Sequence, residues 1–157
     1  MRRLVLVFLI TLPAARVFAQ LPNPYGASIT LDQAKKIATL SVAEAAKNNW
    51  KMAIAIVDVA GDLVYFEKMD GTQVASVSIA QDKARSAVRF KRPTKAMQDV
   101  LAQGGAGVRF LALQGAVPVE GGLPIVMDGK IVGAIGASGG ASDQDGLTAK
   151  AGADSVK

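Results

Sequence analysis

The sequence contains no cysteine and no histidine, and aromatic residues make up only 5% of it. Each absence removes chemistry. Without cysteine there are no disulfides, no haem attachment through C-x-x-C-H and no thiolate metal site. Without histidine as well, a conventional zinc or copper centre lacks its usual ligands, so no metal site is expected. A serine nucleophile likewise loses the base that normally activates it. One Trp, two Tyr and five Phe leave few platforms for stacking single-stranded nucleic acid.

At the N-terminus, Arg2 and Arg3 precede an apolar run from Leu4 to Leu12, followed by Pro13 and by Val17-Phe18-Ala19 before Gln20. This pattern predicts a secretory signal peptide over residues 1–19, too short to make a good membrane span. The expected location is periplasmic or secreted, with no membrane span after cleavage. Cleavage there removes Arg2, Arg3 and Arg16, so the basic residues fall from 18 to 15 against 13 acidic ones and the net charge from +5 to +2. The mature chain therefore lacks the charge footprint of a nucleic-acid binder. After an extended lead-in at 20–28, residues 29–157 read as one domain large enough for a real core.

Thr30-Leu31-Asp32-Gln33 fits a capping box, opening a helix to about Asn48. Two apolar runs, Met52 to Val57 and Leu63 to Phe66, flank turn chemistry at 58–62 and predict a β-hairpin. Met69-Asp70-Gly71-Thr72 is a second turn. Ala75, Ile79, Ala80, Ala84, Ala87 and Val88 mark a helix ending near Arg92, ahead of Pro93. A short helix is expected over 94–101 and a short strand over 109–113. Asp128-Gly129 predicts a second hairpin, 123–127 with 130–136. Ser142 and Asp145 read as the S-x-x-D cap of a final helix. This order favours an antiparallel sheet with helices packed on it over a parallel doubly wound sheet.

Candidate chemistry is sparse. Gly136-Ala137-Ser138-Gly139-Gly140 matches the G-x-S-x-G nucleophile elbow, but with no histidine it reads as a tight strand-to-helix connection, and no catalytic residue is assigned. Gly133, Gly136 and Gly139 do not have dinucleotide spacing. The cluster Lys83, Arg85, Arg89, Lys91, Arg92 and Lys95 reads either as a solvated helix face or as a site for an acidic small molecule, since arginine suits planar carboxylates. Tyr25, Tyr65, Met52, Met69, Met97 and Met127 are the side chains left with precedent as haem-iron ligands. Met52 and Met127 sit in apolar strand runs and read as core; Tyr65 and Met69 flank the Asp70-Gly71 turn and are the better placed pair.

Three blocks together resemble the GlcG/HbpS family of haem-binding proteins, also met as the C-terminal domain of PduO-type proteins. They are Ala53-Ile54-Ala55-Ile56-Val57-Asp58-Val59-Ala60-Gly61-Asp62-Leu63-Val64; Met69-Asp70-Gly71 through Ala80-Gln81-Asp82-Lys83-Ala84-Arg85-Ser86-Ala87; and Gly121-Gly122-Leu123-Pro124-Ile125 through Gly139-Gly140. The resemblance covers roughly residues 29–154. It implies a profilin-like α/β (α+β) fold, a five-stranded antiparallel sheet with packed helices. It also implies homo-oligomers, octamers among them, and haem or related tetrapyrrole binding, with roles in haem sequestration, iron handling or redox sensing. Some members use a histidine as haem ligand, which this chain lacks.

The leading expectation is an exported, oligomeric, non-catalytic haem-binding protein. Its expected cofactor-binding residues are Tyr65, Met69, Arg89, Arg92 and Thr94, with Asp70, Gly121, Gly122 and Ser138 lining the cavity. Haem is then held through Tyr65 or a methionine, or by apolar burial with arginine–propionate pairing, or binding has been lost in this member. Two other readings stand beside it: an enzyme or enzyme accessory that binds a small acidic metabolite, and a structural, partner-binding oligomer. The missing base set favours the non-enzymes.

Overall fold

A computed structural model describes residues 22–156; the leader expected over 1–19 lies outside the described residues. Four strands form one antiparallel sheet: β1 (Ala53–Asp58), β2 (Leu63–Lys68), β3 (Gly122–Met127) and β4 (Lys130–Ser138), in the order β2-β1-β4-β3. The helices are α1 (Leu31–Lys47), α2 (Ser76–Arg89), α3 (Thr94–Ala102) and α4 (Ser142–Ala153). Among the described residues, no helix is long and apolar enough to cross a membrane.

The period-two alternation of β1 divides the core. Ile54 and Ile56 join Ile125, Ile135 and Ala137 against α1 and α4. Ala53, Ala55 and Val57 face the other way and meet Ala80, Ala84, Ala87 and Val88 of α2. The second face is built of small residues because α2 lies almost on the sheet backbone. A Cβ added at Gly136 would stand 1.9 Å from the Ala80 carbonyl oxygen, so glycine is what permits this contact.

Both hairpins form as expected. The β3–β4 turn has Asp128 at φ 49° and Gly129 at φ 70°, the left-handed pair that a two-residue hairpin requires. The capping box of α1 also forms, with the Gln33 N–H donating to Thr30 Oγ1 at 3.3 Å and the Thr30 N–H to Gln33 Oε1 at 2.9 Å.

The mixed α+β architecture is the one the sequence leads to, with local corrections. The sheet has four strands among the described residues rather than five. The strand expected over 109–113 belongs to a 3₁₀ segment, Gly105–Ala112, where Phe110 is buried while Val108 and Leu111 stay exposed. Backbone of the lead-in partly stands in for the fifth strand: the Ile131 N–H donates to the Pro24 carbonyl and the Gly26 N–H to the Ile131 carbonyl, both at 2.8 Å. These groups of β4 lie beyond the reach of β1, whose pairing stops at Asp58–Gly133, and they need partners.

Helix α2 ends at Arg89, and residues 90–92 form a turn before Pro93. Ser142 is the first helical residue of α4, after Ala141, and caps nothing with its side chain. Lys83, read as part of a basic face, is buried, because its α2 position points inward at Asp145.

Candidate functional site

Strand β3 is an outer edge of the sheet, and Pro124 within it has no N–H to offer a neighbour, as suits an edge position. Two adjoining cavities follow this edge. The larger, about 540 Å³, runs from Pro22 and Asn23 of the lead-in past Leu123, Pro124, Val126 and Ile131 to Lys91 and Pro93 on one side and Lys150, Ala153 and Asp154 on the other. The smaller, about 250 Å³, shares Pro93, Leu123 and Lys150 and continues over Lys95, Glu120, Gly121, Gly122 and Leu147. The walls are mostly apolar, with cationic side chains spaced around them.

Each cation is set by local structure. Lys91 takes the left-handed conformation, φ 52°, in the turn that ends α2. Its Nζ lies 4.1 Å from the centre of the Tyr25 ring, a cation–π contact. The Tyr25 hydroxyl in turn donates to the Val88 carbonyl at 2.8 Å, which pins the lead-in along the cavity wall. Lys150 pairs with Asp154 one turn along α4. Lys95 sits 2.8 Å from Asp99 and 3.9 Å from Glu120; its hydrogen bond to Asp99 pushes its ammonium above the usual lysine range.

The glycine floor of the smaller cavity is held from behind. Thr94 is fully buried, and its hydroxyl accepts from the Gly122 N–H at 2.9 Å and donates to the Gly122 carbonyl at 3.4 Å. Beneath Gly121, Lys83 Nζ donates to Asp145 Oδ2 at 2.7 Å and to the Ala137 carbonyl at 3.3 Å. Asp145 also accepts from the Gly140 N–H at 3.0 Å. Burial pushes the Asp145 carboxyl above the ordinary aspartate range, while its bonds to Lys83 and Gly140 pull the other way.

The expected site residues do not converge. Thr94, Gly121 and Gly122 come together, and the two glycines line the smaller cavity. Tyr65 and Met69 pack with the α1/α4 side of the core, across the sheet from Arg89 on α2. The Tyr65 hydroxyl donates to Glu67 at 2.9 Å, and that bond raises its pKa above 10.0, which disfavours tyrosinate near neutrality. Arg89 is exposed and lies against Gly61 and Gly115, while Arg92 donates to the Phe90 carbonyl at 3.0 Å. Asp70 is in the exposed turn whose Thr72 binds the Met52 carbonyl. Ser138 is buried, and its hydroxyl bonds Ser76 at 3.2 Å.

Pro93, between the expected Arg92 and Thr94, borders both cavities, and those two neighbours line neither. Lys150, Leu123 and Pro124 were not among the expected residues, whereas Lys91 belongs to the basic cluster read as a solvated face or an acidic-ligand site and does border the larger cavity. Proline within an apolar strand was the available signal, since it marks an edge strand beside which a cleft can open.

Comparison with known proteins gives one answer throughout. A family described as "Haem degrading protein HbpS-like" matches residues 29–154. Protein GlcG of Escherichia coli K12 is 38% identical over 95 residues, covering 60% of this chain and 69% of that protein. The crystal structure of HbpS superposes with a TM-score of 0.76 at 30% identity, covering 84% of this chain and 92% of that one. The crystal structure of a PduOC–haem complex superposes with a TM-score of 0.75 at 25% identity, covering 83% and 96%.

Proposed function

The chain belongs to the HbpS-like family, and from that premise we propose that it is an exported, non-catalytic protein that binds haem or a closely related tetrapyrrole in the cleft along β3. The observation that carries this reading is the 540 Å³ apolar cavity flanked by Lys91 and Lys150. Its volume falls in the range of roughly 300–1,000 Å³ typical of small-molecule sites. The haem complex of the PduOC relative supports it.

The residues fit a macrocycle that carries acid groups. Leu123, Pro124, Val126 and Ile131 offer an apolar wall, and the two ammonium groups suit propionates. Bound haem would supply iron-centred redox and ligand chemistry. What the chain supplies is burial of the ring, pairing of its carboxylates and exclusion of water. Sequestration, iron handling and redox sensing are all roles consistent with such a binder.

Titration of haemin into the purified protein, residues 20–157, tests this directly. A saturable Soret change is expected, weakened about tenfold in Lys91→Ala/Lys150→Ala, since each exposed ion pair contributes up to ~1 kcal/mol. A wild-type protein without saturable change overturns the reading. Export is tested by fractionation and N-terminal sequencing, with a mature start at Gln20 expected. We also propose a homo-oligomer, supported by the exposed apolar side chains Val108, Leu111 and Leu113; light scattering at the monomer mass would refute it.

A second reading has its own observation. The 250 Å³ cavity, with Lys95 and Lys150 on its wall, suits a small carboxylate, as an enzyme accessory would need. Thermal-shift screening with small carboxylates distinguishes the two.

A further inference from the structure

We propose that this cleft selects its tetrapyrrole by the organic periphery and not by the metal, so that a metal-free porphyrin binds as well as haem. This rests on the tetrapyrrole reading above and specifies what that site recognises.

The inference comes from where the candidate iron donors lie. The chain has no imidazole and no thiol. Met52 and Met97 are fully buried, and Met69 and Met127 pack with the α1/α4-side core. None of these four lines either cavity. The Tyr65 hydroxyl is engaged by Glu67 on the other edge strand. Tyr25 is nearer, but its hydroxyl is spent on the Val88 carbonyl and its ring on Lys91.

What does line the larger cavity is a set of apolar side chains with the Asn23 amide, the Asp154 carboxylate and two lysines. Ammonium groups have no lone pair to give to iron. Amide and carboxylate oxygens stand outside the His, Cys, Met and Tyr set that anchors haem, and the Asp154 carboxylate is paired with Lys150. The recognition elements present are therefore an apolar slot and cations for carboxylates, and both act equally on a ring with or without iron.

The test compares haemin, protoporphyrin IX and protoporphyrin IX dimethyl ester, titrated into residues 20–157 and read by quenching of Trp50, the sole tryptophan. Dissociation constants for haemin and protoporphyrin IX are expected to agree within about threefold, with the ester about tenfold weaker. Lys91→Gln/Lys150→Gln should weaken both acids alike and leave the ester unchanged. Haemin binding tenfold or more tighter than the free porphyrin would show ligation of iron by the chain and overturn this inference while leaving the tetrapyrrole reading intact. An ester that binds as well as the acid overturns the carboxylate half of it. If neither acid binds saturably, the tetrapyrrole reading itself fails.

Discussion

Lys83 and Asp145 are the residues on which the floor of the cleft depends. Their side chains are 1% and 4% exposed, and the pair fastens α2 to β4 and α4 beneath Gly121. A buried pair adds little net stability when intact, but removing one partner strands the other charge at a cost of about 3–5 kcal/mol. Lys83→Met is expected to lose that much in urea denaturation, and adding Asp145→Leu should restore much of it. The pH dependence has a definite sign. Burial raises the Asp145 carboxyl in the folded state above the usual 3.8, so the folded chain holds this proton more tightly than the unfolded one. The stability it contributes is full below 3.8 and is lost as pH rises through the folded value. The melting temperature of wild type minus that of Asp145→Asn should therefore fall across that window; a flat or rising difference would contradict it. None of this was legible in the sequence. Lys83 follows Asp82 in a run of charges, and only the rotation of α2 on the sheet turns it inward.

At the scale of elements, the glycines of β4 fix how closely the layers stack. Gly136→Ala would put a methyl 1.9 Å from the Ala80 carbonyl and 2.7 Å from the Ala84 nitrogen, both backbone atoms that cannot swing aside. Overpacking of this kind costs about 1–3 kcal/mol, and the upper end or beyond is expected here, read as a lower urea midpoint with an unchanged slope. The elements themselves were largely readable, because their signals are local. Thr30 and Gln33 cap α1, Asp128-Gly129 turns the second hairpin, and alternation marks β1. The segment 105–112 misled because Val108, Phe110 and Leu111 are apolar enough for a strand, yet in the 3₁₀ segment only Phe110 turns into the core while Val108 and Leu111 stay exposed. Ser142 misled in another way: S-x-x-D spacing fits a cap, but Asp145 is drawn to Lys83, which lies 62 positions earlier in the chain.

For the whole molecule, binding and folding are linked. A ligand that fills the cleft spans the lead-in, β3, the turn after α2 and the end of α4, so its release must accompany unfolding. At a free haemin concentration 100 times the dissociation constant, stability should rise by about 2.7 kcal/mol. In a domain of this size that corresponds to an increase of about 5–11 °C in melting temperature. The increase should shrink in Lys91→Ala/Lys150→Ala and persist in Tyr65→Phe, whose hydroxyl lies with Glu67 on the other edge strand. Loss of the shift in Tyr65→Phe would place the ligand elsewhere.

By itself, the sequence determined the family, the α+β class and most element boundaries. Caps, turn dipeptides and hydrophobic alternation act over a few residues and leave their pattern in the chain. It also determined what iron could not be offered, since histidine and cysteine are simply absent. Only the tertiary structure decided where the cleft lies and which residues border it. Pro22, Lys91, Leu123 and Lys150 meet because β3 is an edge strand and the lead-in is pinned beside β4. The same packing sets Tyr65 and Arg89 on opposite faces of the sheet. Such neighbourhoods are fixed by strand order and helix rotation, which long-range burial chooses and no local spacing records.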